Sequence, residues 1–304
     1  MPDPMIPIRY VEPVFRPPSE SASLILPVTD GCSWNECTFC EMYTASQKKF
    51  RAREEVEILE SIRLCGERSS AHTGDQIRRV FLADGDALVL PTRRLLSILS
   101  AIKTHLPAVR RISSYCLPRN LRKKSQSEIN ELAAAGLSMV YVGAESGDDT
   151  VLAAVNKGET HKTTCEALEK FAQAGITRSV MILNGLGGKV FSRQHADNSA
   201  RLANETQPEY LATLVVSFPQ GEQRFRAGFP AWQPLDQHEL FVEMEQFLSA
   251  LELKRTVFRS DHASNWLVLK GTLGADKARL LAQVRQAIAA PDQALLRPGW
   301  ARGL

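Results

Sequence analysis

Six cysteines occur in the 304 residues of this chain, and three of them fall within one short run, Gly31-Cys32-Ser33-Trp34-Asn35-Glu36-Cys37-Thr38-Phe39-Cys40. The spacing is C-x4-C-x2-C. Thiolates converging from one segment are a metal-binding device. A [4Fe-4S] cube normally takes four cysteine thiolates, so three would leave one iron open for chemistry. A helix cannot make them converge: at about 100° per residue, Cys37 and Cys40 lie about 60° apart and Cys32 about 140° from Cys37. A loop can, and Asp30, Gly31, Ser33 and Asn35 favour one. The competing metal is structural zinc. It usually takes four ligands from paired motifs, whereas this run has one C-x-x-C and no second pair; the next histidine is His72. A disulfide framework fits a small secreted domain rather than a chain of this size.

The elements around the loop follow from hydrophobic patterning. Ser23 to Val28 reads as a short buried strand that leads into the cysteines. Further strands are expected at 79–83, 111–116, 139–144, 177–183 and 210–217, with helices near 53–68, 92–105, 125–135, 161–174 and 192–205. Gly136 and Gly175 are helix stop signals. Strand–helix alternation at this spacing implies right-handed βαβ units and a parallel sheet. Six units give an α/β fold of the partial (β/α)6 TIM-like barrel type. Beyond it, a helix near 236–252, a strand at 255–259 and a helix near 274–289 form a C-terminal α+β extension. The expected organisation is an extended arm over 1–22, a barrel over 23–218 and a cap over 219–304.

In parallel α/β barrels the active site lies at the C-terminal ends of the strands. That rule selects the cysteine loop, then Asp84-Gly85-Asp86, then Ser113-Ser114-Tyr115-Cys116, then Glu145, then Asn184-Gly185. A carboxylate such as Glu145 at the end of an apolar strand is costly without a partner. Cys116 is a thiol suited to hydrogen donation or substrate binding; a packed, inert cysteine is the plainer reading. The glycine-rich Asn184-Gly185-Leu186-Gly187-Gly188-Lys189 lacks the spacing of a P-loop or a dinucleotide fold. The polar run from Arg259 to Asn265 supplies Arg259 for an anionic group and His262 for acid–base or metal work, unless it is a capping loop that satisfies its own backbone.

The cysteine run resembles the radical S-adenosylmethionine (radical SAM) superfamily, whose pattern is C-x3-C-x2-C with an aromatic residue before the last cysteine; Phe39 holds that place. The first gap here is longer by one residue. Val142 to Gly147 and Val155-Asn156-Lys157-Gly158 resemble the branch that includes anaerobic coproporphyrinogen oxidases and tRNA methylthiotransferases. The resemblance covers roughly residues 23 to 220. It implies a [4Fe-4S] cluster on Cys32, Cys37 and Cys40, and S-adenosylmethionine (SAM) bound at the fourth iron. It also implies reductive SAM cleavage that starts radical chemistry on substrate, with an electron donor such as flavodoxin or ferredoxin. By the same resemblance, Asp84, Gly85 and Asp86 would hold the SAM amino group and Glu145 its ribose or methionyl part. Asn184 and Gly185 would pack against adenine, and Arg178 would meet the SAM carboxylate. Cys116, Arg259 and His262 remain the candidates on the substrate side.

Composition narrows the rest. The charge of +3 with mixed signs gives no strong case for nucleic acid or membrane. No apolar run reaches membrane-span length, and the N-terminus lacks a secretory pattern, so a cytoplasmic protein is expected. The rival functions are a non-catalytic iron–sulfur or haem-trafficking protein on the same fold, and a zinc-stabilised α/β protein.

Overall fold

A computed structural model describes residues 8–71 and 76–302; His72 and the first seven residues of the expected arm lie outside them. In chain order the regular elements begin with β1 (Leu24–Pro27), β2 (Thr29–Asp30), β3 (Arg51–Ala52), α1 (Glu55–Ala71) and β4 (Arg79–Ala83). They continue through α2 (Thr92–His105), β5 (Arg111–Tyr115), α3 (Gln126–Ala134), β6 (Leu137–Glu145), α4 (Asp149–Ala154) and α5 (His161–Gln173). Then come β7 (Thr177–Asn184), α6 (Gly188–Thr206), β8 (Tyr210–Val215), α7 (Gln223–Gly228), α8 (Gln237–Ala250), β9 (Val257–Ser260), β10 (Leu269–Thr272) and α9 (Lys277–Ala289). Eight strands form one sheet in the order β1-β4-β5-β6-β7-β8-β9-β10, and β2 and β3 form a separate antiparallel ribbon. This is the mixed α/β architecture, with a mostly parallel sheet, that the strand–helix alternation implies.

The chain divides into two compact units. The first comprises residues 1–35, 42–141 and 170–177, and the second 36–41, 142–169 and 178–304. In the first unit β1, β4, β5 and β6 pair in parallel, with Leu26 opposite Leu82 and Ser113 opposite Met139. β4 is a continuous apolar run because both of its faces are covered. Val80 and Leu82 are buried, as are Leu95, Ile98 and Leu99 of α2. Phe81 joins Ile25, Met139 and Tyr141, with its ring edge-on to Tyr115 at 5.1 Å. Burial of one such side chain stabilises by roughly 2–3 kcal/mol. The arm is tied to this unit by the buried Glu20, which accepts from Arg111 at 2.9 Å and from the Tyr141 hydroxyl at 2.5 Å. Ser125 and Glu128 form a capping box that starts α3, and Gly136 follows its end with positive φ.

In the second unit β7, β8 and β9 are parallel, and β10 closes the edge antiparallel to β9. Helices α6, α8 and α9 pack in succession. A second apolar cluster gathers Val151 and Val155 with Phe225, Phe229 and Trp232, and Phe39 packs against it. Five elements escape the periodicity reading. The two-residue strands β2 and β3, and α4 and α7 of six residues each, are too short to show a repeat. β10 is interrupted by Lys270-Gly271, which breaks its apolar run.

Candidate active site

Within the first unit, the front of the cysteine loop sits on the turn that follows β4. Gly85 N–H donates to Gly31 O at 3.1 Å. Asp84 Oδ2 accepts from Gly31 N at 3.4 Å and pairs with the buried Lys48 ammonium. Asp86 accepts Ser33 N at 3.0 Å, the Ser33 hydroxyl, and Asn120 Nδ2 at 3.4 Å. A Cβ on Gly85 would lie 2.8 Å from Cys32 Cα and 2.7 Å from Gly31 O, so only glycine admits the loop this closely. The Asp-Gly-Asp turn is therefore a seat for the cysteine loop. That differs from the expectation of two carboxylates facing an ammonium, because both oxygens of Asp86 are engaged. Asp84 Oδ1 remains buried without a hydrogen-bond partner among the described residues. Burial pushes Asp86 up to about 6 against the pull of Ser33, and raises Asp84 despite Lys48.

Within the second unit, the rear of the loop is strapped to the segment after α4. Thr38 N and Thr38 Oγ1 donate to Val155 O at 3.0 and 3.3 Å, and Asn156 Nδ2 donates to Glu36 O at 3.2 Å. Cys40 N–H closes a turn onto Cys37 O at 3.3 Å, and Arg224 donates to Cys40 O at 2.6 Å. The next residue along the strap is Lys157, only 5% exposed, with Nζ 3.2 Å from Glu145 Oε1 and 5.7 Å from the Phe39 ring centre. Burial alone would pull this ammonium down. The Glu145 carboxylate, then the Cys37 and Cys40 sulfurs, push it above its ordinary value instead. Glu145 itself has φ +66°, a left-handed conformation that costs a non-glycine residue about 1–3 kcal/mol and persists where its surroundings enforce it. Lys157 belongs to a motif legible in the sequence, but nothing local announces its burial.

The other expected site residues are placed as follows. Arg178, the second residue of β7, lies at the N-terminal end of its strand. Its guanidinium is engaged by Glu209 at 2.7 Å and by the carbonyls of Thr206 and Gln207. The buried guanidinium and the half-exposed Glu209 thus form a structural ion pair. Gly185 donates its N–H to Glu243 at 2.6 Å and accepts Trp232 Nε1 at 3.2 Å, so its backbone does not serve to read an adenine edge. Asn184 ends β7 with Oδ1 buried and without a partner among the described residues. Cys116 is buried, and its thiol donates to Leu117 O at 3.3 Å. Arg259 sits on the exposed side of β9. His262 Nδ1 accepts Ser264 N at 3.2 Å, and its carbonyl accepts Arg297, which is the self-satisfied capping loop rather than an open acid–base group. Burial, then Arg297, hold its imidazole below the ordinary histidine range. Ser113 Oγ and Thr213 Oγ1, on β5 and β8, are further buried polar atoms without partners among the described residues. A hollow of about 600 Å³ is lined by Arg110, Gly136, Ser138 and Gly175, the wrong strand end for a parallel-sheet site.

None of the six cysteines forms a disulfide. Within the second unit, two thiols on the strapped segment, a buried ammonium paired with Glu145 and the unpartnered Asn184 Oδ1 fit an anionic metal centre and a polar co-ligand. Fold and loop chemistry together thus define an α/β protein built to hold a thiolate-ligated group. The profile of the Radical SAM superfamily matches residues 26–203, more than half of the chain, and the chain belongs to that superfamily of enzymes. Solved structures share the fold. The radical S-adenosylmethionine methyltransferase TsrM from Kitasatospora setae, with cobalamin and a [4Fe-4S] cluster bound, is 18% identical at TM-score 0.51, over 63% of this chain and 34% of that one. Methylornithine synthase (PylB) is 13% identical at TM-score 0.53, over 91% of this chain and 74% of that one. Coproporphyrinogen III oxidase (HemN) from Escherichia coli, described as a radical SAM enzyme, is 15% identical at TM-score 0.54, over 75% and 52%. The chain spans about a third of the length of TsrM. No protein of curated function matches the chain. No helix among the described residues is long and apolar enough to cross a membrane.

Proposed function

We propose that Cys32, Cys37 and Cys40 bind a [4Fe-4S] cluster and that the chain reductively cleaves S-adenosylmethionine to start radical chemistry on a substrate not yet identified. The observation that carries this reading is the buried Lys157 ammonium, paired with Glu145 and set 5.7 Å from the Phe39 ring centre of the cysteine loop, on the segment that the Thr38–Val155 strap holds. A cation is buried there at a desolvation cost of several kcal/mol unless negative charge compensates it. Glu145 supplies that charge, and thiolates on iron would add to it. Cys32, Cys37 and Cys40 would hold the cluster, which would supply the electron for reductive cleavage of a SAM carbon–sulfur bond.

The protein's own part is positioning and exclusion of water. The seat formed by Asp84, Gly85 and Asp86 fixes where Cys32 presents its sulfur. Asn184 Oδ1 lacks a donor among the described residues, and a buried acceptor without a donor loses about 1–3 kcal/mol. We assign it to a polar N–H group of SAM. Glu145 we retain as a contact to its ribose or methionyl part. Residues 219–304 form the substrate-side extension. The electron comes from a low-potential carrier of the flavodoxin or ferredoxin type, in a reducing cytoplasm.

Anaerobic reconstitution with iron and sulfide, followed by dithionite and SAM, tests the reading by chromatography. The parent should release 5′-deoxyadenosine and Cys37→Ala should release none. A parent that holds iron yet leaves SAM intact is a cluster carrier, and one that holds only zinc removes the cluster assignment.

A further inference from the structure

A second constellation of donors lies in the second unit and plays no part in the loop chemistry. His161 and Cys165 stand four residues apart in the first turns of α5, which places them on one helix face. Glu205, in the last turn of α6, reaches both. Its Oε2 lies 2.7 Å from His161 Nε2 and 3.6 Å from Cys165 Sγ. The three donor atoms lie within 4.8 Å of one another, the only such group of three among the described residues.

The imidazole identifies what this group can hold. Its Nδ1 lies 3.2 Å from the Gly147 carbonyl oxygen while its Nε2 faces the carboxylate. Both neighbours can only accept hydrogen bonds. A neutral imidazole carries one N–H, so it leaves one lone pair against another. Two species resolve the conflict: an imidazolium, or a cation bound at Nε2 with Nδ1–H donating to Gly147. The second is the way metal-bound histidines are usually oriented. The thiol supplies a third ligand atom: Cys165 Sγ donates to the same Glu205 oxygen, and a cation would take all three atoms in place of these hydrogen bonds. Burial, and then the Glu205 charge, push the Cys165 thiol up to about 12. It is therefore a protonated thiol unless a metal displaces its proton. Arg201 opposes a cation from 3.8 Å beyond Glu205 Oε1, and Glu166 adds negative charge near Cys165.

We propose that His161, Cys165 and Glu205 form a binding site for a divalent cation of the zinc class, ligated by one nitrogen, one sulfur and one oxygen. The mixed N/S/O set selects zinc-like ions over magnesium or calcium, which prefer oxygen alone. Glu205 is 51% exposed, so the ion enters from solvent and its fourth position takes water, the arrangement of an open rather than a closed zinc site. Binding ties the start of α5 to the end of α6, and proceeds as Zn²⁺ + Cys–SH → Cys–S–Zn⁺ + H⁺.

The test uses the full cluster-loaded chain and reads Cys165 alone. Iodoacetamide labelling under anaerobic conditions, followed by peptide mass spectrometry, gives the alkylation rate of that residue with and without added Zn²⁺. Zinc should slow it at least tenfold. His161→Ala and Glu205→Gln should each remove most of that protection. Glu205→Gln alters a half-exposed side chain and leaves the fold intact. Equal rates with and without zinc in the parent would leave an ion pair only and overturn the site, as would protection that persists in both variants.

Discussion

The Lys157–Glu145 pair makes the sharpest statement about energetics. Replacing Lys157 by Met keeps its volume and removes its charge. Glu145 then remains as a carboxylate in an almost closed site, in a left-handed conformation, with its bonded cation gone. Breaking a buried pair from one side costs about 3–5 kcal/mol. Removing both charges, in Lys157→Met with Glu145→Gln, eliminates the orphaned ion and should return the chain to within about 1–2 kcal/mol of the parent. At a urea slope of about 3 kcal/mol per molar, the single substitution moves the unfolding midpoint by about 1–2 M and the double by much less. Anaerobic urea titrations of the parent, both singles and the double form the cycle. A Lys157→Met variant that unfolds at the parent's midpoint, or a double variant weaker than either single, refutes the coupling.

Other consequences follow from the same geometry. Gly85→Ala places a methyl group against Cys32 and Gly31, which costs about 1–3 kcal/mol and shifts the loop; iron retained after reconstitution should fall in step, by colorimetric assay. Asp86 has a folded value of about 6, above its unfolded value near 3.9. Its contribution is therefore fully present below about pH 4 and is lost as pH rises through about 6. Against Asp86→Asn, the parent should lose of order 2 kcal/mol across that window, read from urea midpoints at a series of pH values. Arg178→Met should lower stability and leave the rate of SAM cleavage per folded, iron-loaded molecule unchanged; a selective loss of SAM cleavage would restore Arg178 to the site.

Much of this is legible in the sequence itself. The cysteine loop announces itself because three thiols at that spacing have few other uses. The parallel strands announce themselves because strands covered on both faces are uninterrupted apolar runs, as in Val80-Phe81-Leu82-Ala83. What stayed hidden depends on contacts distant in sequence. Lys157 reads as a surface lysine until Thr38, well over a hundred residues earlier, bonds to Val155 and closes the site around it. The seat made by Asp84 and Asp86 reads as a ligand turn until Gly31 and Ser33 are seen to dock on it. Arg178 has a charge that suits a ligand carboxylate, and only the fold reveals that its place at the start of β7 brings it to Glu209. His161 and Cys165 show helical spacing in the sequence, but the third donor arrives from another helix.

The most direct measurement is Mössbauer spectroscopy of the ⁵⁷Fe-reconstituted, anaerobic chain before and after SAM is added. Three thiolate ligands on a cube predict one iron distinct from the other three, and SAM should change the signal of that iron alone. A spectrum of four equivalent irons that SAM leaves unaltered, or a preparation that retains zinc and no iron, contradicts the account.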